Sequence, residues 1–170
     1  MIMDFYDVIR NRRSVRSYRD RPVEEEKRVR LREAVRLAPT ACNYQPFCFL
    51  EIVGPEAREA VAACYPREWF GRAPMYYVAV ADPQVAWSRK NGNSSYEIDA
   101  AIAMEHLVLA ATAEGLATCW ICAFDQEELH RALELPAEVV PVAMTPVGYR
   151  DGDFPPLPPR KTVDELFRRL

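Results

Sequence analysis

The sequence predicts an α+β fold with one sheet of roughly four strands, and three observations carry that expectation. Ile98–Ala113 is apolar at nearly every position, interrupted only by Asp99, Glu105, His106 and Thr112. A helix without a wide polar face is a buried helix, and at 1.5 Å per residue this one would run roughly 25 Å, about the width of a small domain. Met75–Ala81 is a short, continuous apolar run, the pattern of a buried strand. The remaining elements alternate helical and extended patterns, while no GxGxxG or Walker loop occurs, so the nucleotide folds built on such loops are excluded.

The totals narrow the class. A chain of 170 residues with 49% hydrophobic and 28% charged residues is one ordinary globular domain with a real core. A net charge of −3 argues against a broad surface for nucleic acid or anionic membrane, so any anion recognition must be local. The N-terminal MIMDFYDVIRNRR lacks the charged-then-apolar pattern of a leader, and five irregularly spaced cysteines do not suggest a disulfide framework. A cytoplasmic protein with reduced thiols is expected. The long apolar helix is too short and too interrupted to cross a bilayer, which needs about 20 mostly apolar residues. One small domain has difficulty covering it on all sides, which favours a dimer.

In chain order, Asp4–Arg10 is a short amphipathic helix on Phe5, Val8 and Ile9. Extended backbone after it would alternate its side chains, so Arg12, Ser14 and Arg16 would share one face. Two guanidiniums and a hydroxyl make a compact anion receptor, because the planar arginine fork matches phosphate or carboxylate oxygens. A solvated basic stretch is the bland alternative. Glu24–Ala38 is a helix with acids in its first turn, i,i+4 pairs Glu24–Arg28 and Glu26–Arg30, and a stripe of Leu31, Ala34, Val35 and Ala38. The loop Pro39–Phe47 is uncharged; Thr40, Asn43 and Gln45 offer hydrogen bonds to the edge of a planar heterocycle, or plain turn chemistry. Phe49–Val53 is a strand and Pro55 to about Tyr65 a helix. Gln84–Ser95 is a polar loop that could act as a lid or a substrate-side loop, with Trp69, Phe70 and Trp87 as stacking candidates or packing residues.

Gly115 ends the long helix, and Ala117–Ile121 runs extended. Asp125 caps a helix over Gln126–Leu133. Val139–Tyr149 is a strand with an irregular, proline-containing middle. Pro155–Pro159 is a stiff spacer that delivers Arg160 and Lys161 to a last helix, with a Thr162/Glu165 capping box and an apolar stripe of Val163, Leu166, Phe167 and Leu170. Cations at that position favour a phosphate. Cys119 and Cys122 form a lone CxxC, too weak a signal for a metal or dithiol site. No metal site is expected. Asp99 and His106 lie about 10 Å apart along their helix, too far for a direct pair, so His106 is read as a hydrogen-bonded buried residue.

Five stretches together resemble the FMN-dependent nitroreductase family: RRSVRSY (12–18), APTACNYQPF (38–47), GLATCWICAF (115–124), PVGY (146–149) and PPRKTVDELF (158–167). They occur in the family's order and spacing over nearly the whole chain. The resemblance implies an α+β homodimer around a central mixed sheet of about four to five strands. The long buried helix would lie at the interface, with two FMN sites shared between the chains. It implies that Arg12 and Ser14 hold the cofactor phosphate, with Arg13 alongside, and that Arg16 stands near the flavin pyrimidine. Pro39, Thr40, Ala41, Asn43 and Gln45 would reach the flavin from the partner. Trp120, Ile121, Cys122 and Ala123 would pass its N5, and Arg160 with Lys161 would complete the phosphate site. Cys122-Ala123 departs from the Glu-Gly or glycine found in many relatives.

The implied activity is oxidoreduction, with NADH or NADPH reducing the flavin before a nitroaromatic, quinone or similar acceptor takes the electrons. No side-chain acid or base need be named, since the cofactor carries the hydride chemistry. A non-catalytic flavin carrier or sensor of the same fold, and a cofactor-free oligomeric scaffold, are the competing readings.

Overall fold

The computed structural model describes residues 3–170; Met1 and Ile2 of the N-terminal stretch lie outside them. Seven α-helices are described: α1 (Phe5–Asn11), α2 (Glu25–Arg36), α3 (Pro55–Ala63), α4 (Glu68–Gly71), α5 (Tyr96–Ala113), α6 (Gln126–Ala132) and α7 (Val163–Leu166). Four strands, β1 (Phe47–Ile52), β2 (Met75–Ala81), β3 (Ala117–Thr118) and β4 (Val140–Gly148), form one sheet in the order β1-β2-β4-β3. Every ladder is antiparallel. Among the described residues the mixed character expected of the sheet is confined to one isolated parallel bridge, Ser14 to Thr118.

The sheet is the middle of three layers. Successive strand residues point to opposite faces, so β2 sends Tyr76, Val78 and Val80 into a core with Val61, Phe70 and Leu129. Its Met75, Tyr77 and Ala79 enter a second core with Leu31, Met104 and Leu107. All seven β2 residues are buried, which is why the run is apolar without alternation. The irregular middle expected of the last strand is a register shift opposite Ala79 and Val80.

Local chemistry sets the ends of the elements. The Asp4 and Asp125 side chains cap α1 and α6. Gly115, at φ 71°, closes α5, with the Leu116 N–H donating to the Ala111 carbonyl and the Gly115 N–H to Thr112. That left-handed position is costly for a residue with a Cβ. The last helix is shorter than expected: α7 is a single turn with the Thr162/Glu165 capping box in place, and Phe167 is already extended. Its stripe is exposed in the single chain, at Val163, Leu166, Phe167 and Leu170.

The arginines of α2 pair differently from the expected i,i+4 pattern. Arg28 bonds Glu25 and Glu51, and Arg30 bonds Glu114. Glu51 on β1 and Glu114 beyond α5 are better partners because they are less exposed, so screening by water is weaker. Glu24 precedes the helix and accepts from the Tyr149 hydroxyl and from Arg21.

Those bonds, the one from Tyr149 foremost, lower Glu24 from 4.5 to about 2. Its ionised form therefore adds stability above pH 4.5 that is lost as the pH falls towards 2. Glu24→Gln should melt below the wild type at neutral pH, and the two melting curves should converge across that window. A gap that persists at acid pH would refute the assignment.

Candidate functional site

α5 organises the site, and its surroundings differ from one side to the next. His106 on one side bonds the Ala34 carbonyl of α2 at 3.1 Å through Nδ1, as expected of a structural histidine. The sheet covers Met104, Leu107 and Ala111. A third side stays open, because Ile98 is half exposed and Glu105 is exposed. The single chain thus buries this helix on most of its circumference and leaves one lengthwise strip uncovered.

Residues 12–16 run extended between α1 and the bridge to Thr118, where the Val15 N–H donates to the Thr118 carbonyl at 2.9 Å. The expected alternation is present. Val15 is buried, whereas Ser14 and Arg16 are exposed and Arg12 is half-buried. Burial pushes the Cys119 thiol up, while Arg16, a Ser14 hydrogen bond and Arg12 act in the opposite sense. Arg16 also lies 5.9 Å from the Trp69 ring centroid.

Arg13 is held by its own chain: its Nη1 donates to the Arg10 and Arg12 carbonyls, and its guanidinium lies 5.8 Å from the Phe154 ring centroid.

The tail crosses back to the same end of the molecule. Arg12, Arg13, Arg160, Leu157, Leu109 and Glu105 line one cavity of about 680 Å3. Partial burial raises Glu105, and Arg12 works against that rise. Arg12, Arg16, Arg160 and Lys161 make no ion pair among the described residues, while Arg28, Arg30, Arg32 and Arg36 of α2 are all paired. Cations gathered without carboxylate partners are suited to an anion from outside the chain.

The uncharged loop occupies another side of α5. A one-turn 3-10 segment spans Ala41–Asn43, and Cys42, Asn43 and Gln45 all have positive φ, between 51° and 58°. Three such residues in one short loop form a strained conformation that its surroundings must enforce. Asp99, 2% exposed, supplies that enforcement: Oδ1 accepts from the Ala41 N–H at 2.9 Å and Oδ2 from the Ser95 hydroxyl at 2.9 Å. The sequence reading missed this role. The available signal was a carboxylate in the first turn of an otherwise apolar helix, where the dipole favours an anion.

Within the loop the Gln45 N–H donates to Thr40 Oγ1 and Gln45 Nε2 to the Asn43 carbonyl. Pro39, Asn43 and Gln45 are exposed, and Thr40 and Ala41 half-buried.

Trp120–Ala123 forms a third group. Ile121 is buried and exchanges both backbone hydrogen bonds with Met144. Cys122 and Ala123 are exposed, and Trp120 Nε1 donates to the Cys122 sulfur at 3.1 Å. Trp120, Cys122, Phe124, Glu97 and Ala101 line a cavity of about 760 Å3. Cys119 is buried and Cys122 exposed, both as free thiols, consistent with opposite sides of an extended segment.

Phe70 is fully buried, which removes it as a stacking candidate; Trp69 packs edge-on to it, and Trp87 is half-buried. The polar loop after β2 closes on itself through a Ser88–Ser94 bridge and a bond from the Arg89 N–H to the Asn93 carbonyl.

One chain does not unite these groups. The loop is tied to α5 at Asp99, whereas Glu97 and Ala101 wall the Trp120 cavity. Positions two apart on a helix point roughly 200° from each other, so the loop and Trp120 lie on opposite sides of α5.

Among the described residues no helix is long and apolar enough to cross a membrane. The Nitroreductase family model matches residues 9–64 and 55–149. A crystal structure of a nitroreductase family protein from Clostridium difficile superposes at TM-score 0.88, with 28% identity and 98% of each chain covered. An FMN-dependent nitroreductase from a second Clostridium difficile strain gives TM-score 0.76 and 25% identity over 86% of this chain and 87% of its own. The FMN reductase [NAD(P)H] of Bacillus subtilis is 30% identical over 86% of this chain and 67% of its own length. The order of the elements, the α5-centred architecture and these matches agree: the chain belongs to the nitroreductase family.

Proposed function

We propose that the protein is an FMN-dependent oxidoreductase that draws on NADH or NADPH and delivers electrons to a nitroaromatic, quinone or similar electrophile. The observation that carries this reading is the set of cations without carboxylate partners, with Arg12 and Arg160 lining one cavity. Arg12, Ser14, Arg160 and Lys161 would hold the FMN phosphate, with Arg13 beside them. Arg16 would face the pyrimidine ring, where a fixed cation stabilises the charge gained on reduction. Ile121 would fix the backbone of Trp120, Cys122 and Ala123 along the flavin edge. Bound FMN would supply hydride acceptance and donation at N5 in a ping-pong sequence.

The working unit on this reading is a homodimer. Pro39, Thr40, Ala41, Asn43 and Gln45 cannot meet the Trp120 segment of their own chain around α5, but a second copy can present them. Exposed Phe5, Ile9, Ile98, Leu157, Leu166 and Phe167 provide the apolar surface for such a pairing. The competing reading, a flavin carrier, shares the cofactor residues and differs in reactivity.

Anaerobic mixing of FMN-loaded protein with NADH or NADPH separates the two. Loss of the oxidised-flavin absorption band, restored by a quinone or nitroaromatic, is expected. A band that neither nicotinamide bleaches would replace the enzyme reading with the carrier.

A further inference from the structure

Residues 12–19 have a second face that shares only Arg13 with the proposed flavin site. Arg13, Val15 and Arg19 line a cavity of about 340 Å3 together with Leu116, Ala117, Tyr149, Arg150 and Phe154. Its size is at the lower end of small-molecule sites and its walls are mostly apolar. Three guanidiniums border it and, among the described residues, no carboxylate lines it, in a chain whose net charge is −3.

Asp151, outside the lining, reaches Arg19 at only 3.8 Å, with both side chains exposed. Arg150 bonds the Gly152 carbonyl, a neutral partner, and Arg13 bonds two carbonyls. The Arg13 Nε is buried and has no acceptor among the described residues, and an unmet buried donor is costly. The guanidiniums of Arg150 and Arg13 lie 4.7 Å and 5.8 Å from the Phe154 ring centroid. That places an aromatic wall beside the positive charge.

We propose that this cavity binds a small aromatic carboxylate, independently of the flavin. The ring would lie among Val15, Leu116, Ala117 and Phe154, and the carboxylate would accept from Arg150 and Arg13 in charge-assisted bonds. Bare phosphate would satisfy the cations and leave the apolar wall uncovered; a neutral aromatic would do the reverse. Each of these binds more weakly than a ligand that meets both demands. FMN and a nicotinamide dinucleotide carry far more polar surface than these walls can serve.

Benzoate titrated calorimetrically into the protein as purified tests the site, with phosphate and benzyl alcohol as controls. One benzoate per chain is expected, with Arg150→Gln weakening it at least tenfold and Phe154→Ala severalfold, while flavin content stays unchanged. Benzyl alcohol and phosphate should each bind at least tenfold more weakly than benzoate. Backbone amide NMR shifts at Leu116 and Ala117 locate the ligand even if a variant misfolds. The proposal is overturned by absence of benzoate binding, by shifts confined to other residues, by equal affinity for phosphate, or by competition with FMN. Failure here leaves the flavin reading intact, since that is decided by chromophore content and bleaching.

Discussion

Replacing Arg12 and Arg160 together by alanine should strip the protein of FMN. Both guanidiniums line the same cavity, and among the described residues neither has a carboxylate partner that would compete with a phosphate. A hydrogen bond to a charged group contributes about 1.5–3 kcal/mol, so each substitution should weaken FMN by roughly 10-fold to 100-fold. The pair acts on one phosphate, so the double variant should lose roughly 100-fold or more without strict additivity. Fold stability should change little, because neither side chain supports the core. The check is FMN fluorescence titration of the apoprotein beside a thermal melt. Full flavin retention in a well-folded double variant would mean that these cations are only surface.

Glu105 gives the same cavity an opposing charge. Its carboxyl is raised by partial burial and opposed by Arg12, so in its ionised form it repels an incoming phosphate. Glu105→Gln should tighten FMN severalfold at neutral pH. The advantage should shrink as the pH drops and wild-type Glu105 takes up its proton. A pH series of FMN dissociation constants, variant against wild type, reads this directly, since titration of the phosphate itself is common to both proteins.

What was legible in the sequence was what depends on near neighbours. The period-two alternation of Arg12, Ser14 and Arg16, the Gly115 stop, the Asp125 cap and the Thr162/Glu165 box are set by residues a few positions apart. The seven apolar residues of β2 could be read because both faces of the strand meet a core. Partner choice across the fold could not be read. Arg28 pairs with Glu25 one turn away and also with Glu51 across the fold, and Arg30 bonds Glu114 rather than Glu26, because tertiary packing brings in these less exposed acids. Phe70 looked available because nothing local shows that α4 turns it inward against Tyr76. The all-round apolar character of α5 overstated its burial in one chain, since part of that surface remains open at Ile98.

Asp99 is the position where a single long-range contact should matter most. Its carboxylate accepts from Ala41, 58 positions away in sequence, and from Ser95 at the start of α5. Asp99→Ala leaves the buried Ser95 hydroxyl and the half-buried Ala41 N–H without their acceptor, at a cost of about 1–3 kcal/mol for the buried donor and less for the other. The left-handed residues Cys42, Asn43 and Gln45 lose the tie that enforces them. Asp99→Asn retains an oxygen for the Ala41 N–H, and its amide can donate to Ser95, whose hydroxyl can accept instead. The alanine variant should therefore melt well below the wild type, by about 2–4 kcal/mol of stability, and the asparagine variant close to it.

Under the homodimer reading the loop belongs to the partner's flavin site. Asp99→Ala should then also slow bleaching of bound flavin by nicotinamide at a temperature where the protein is fully folded, with asparagine restoring the rate. Ser95→Ala, which removes one donor and keeps the Ala41 bond, should fall between the two in stability and leave the loop in place. If alanine at 99 lowers the melting temperature but folded protein reacts at the wild-type rate, Asp99 holds the fold and the loop makes no contribution to the flavin. If the rate falls and asparagine restores it, the buried carboxylate positions a strained loop in the site formed by its neighbour.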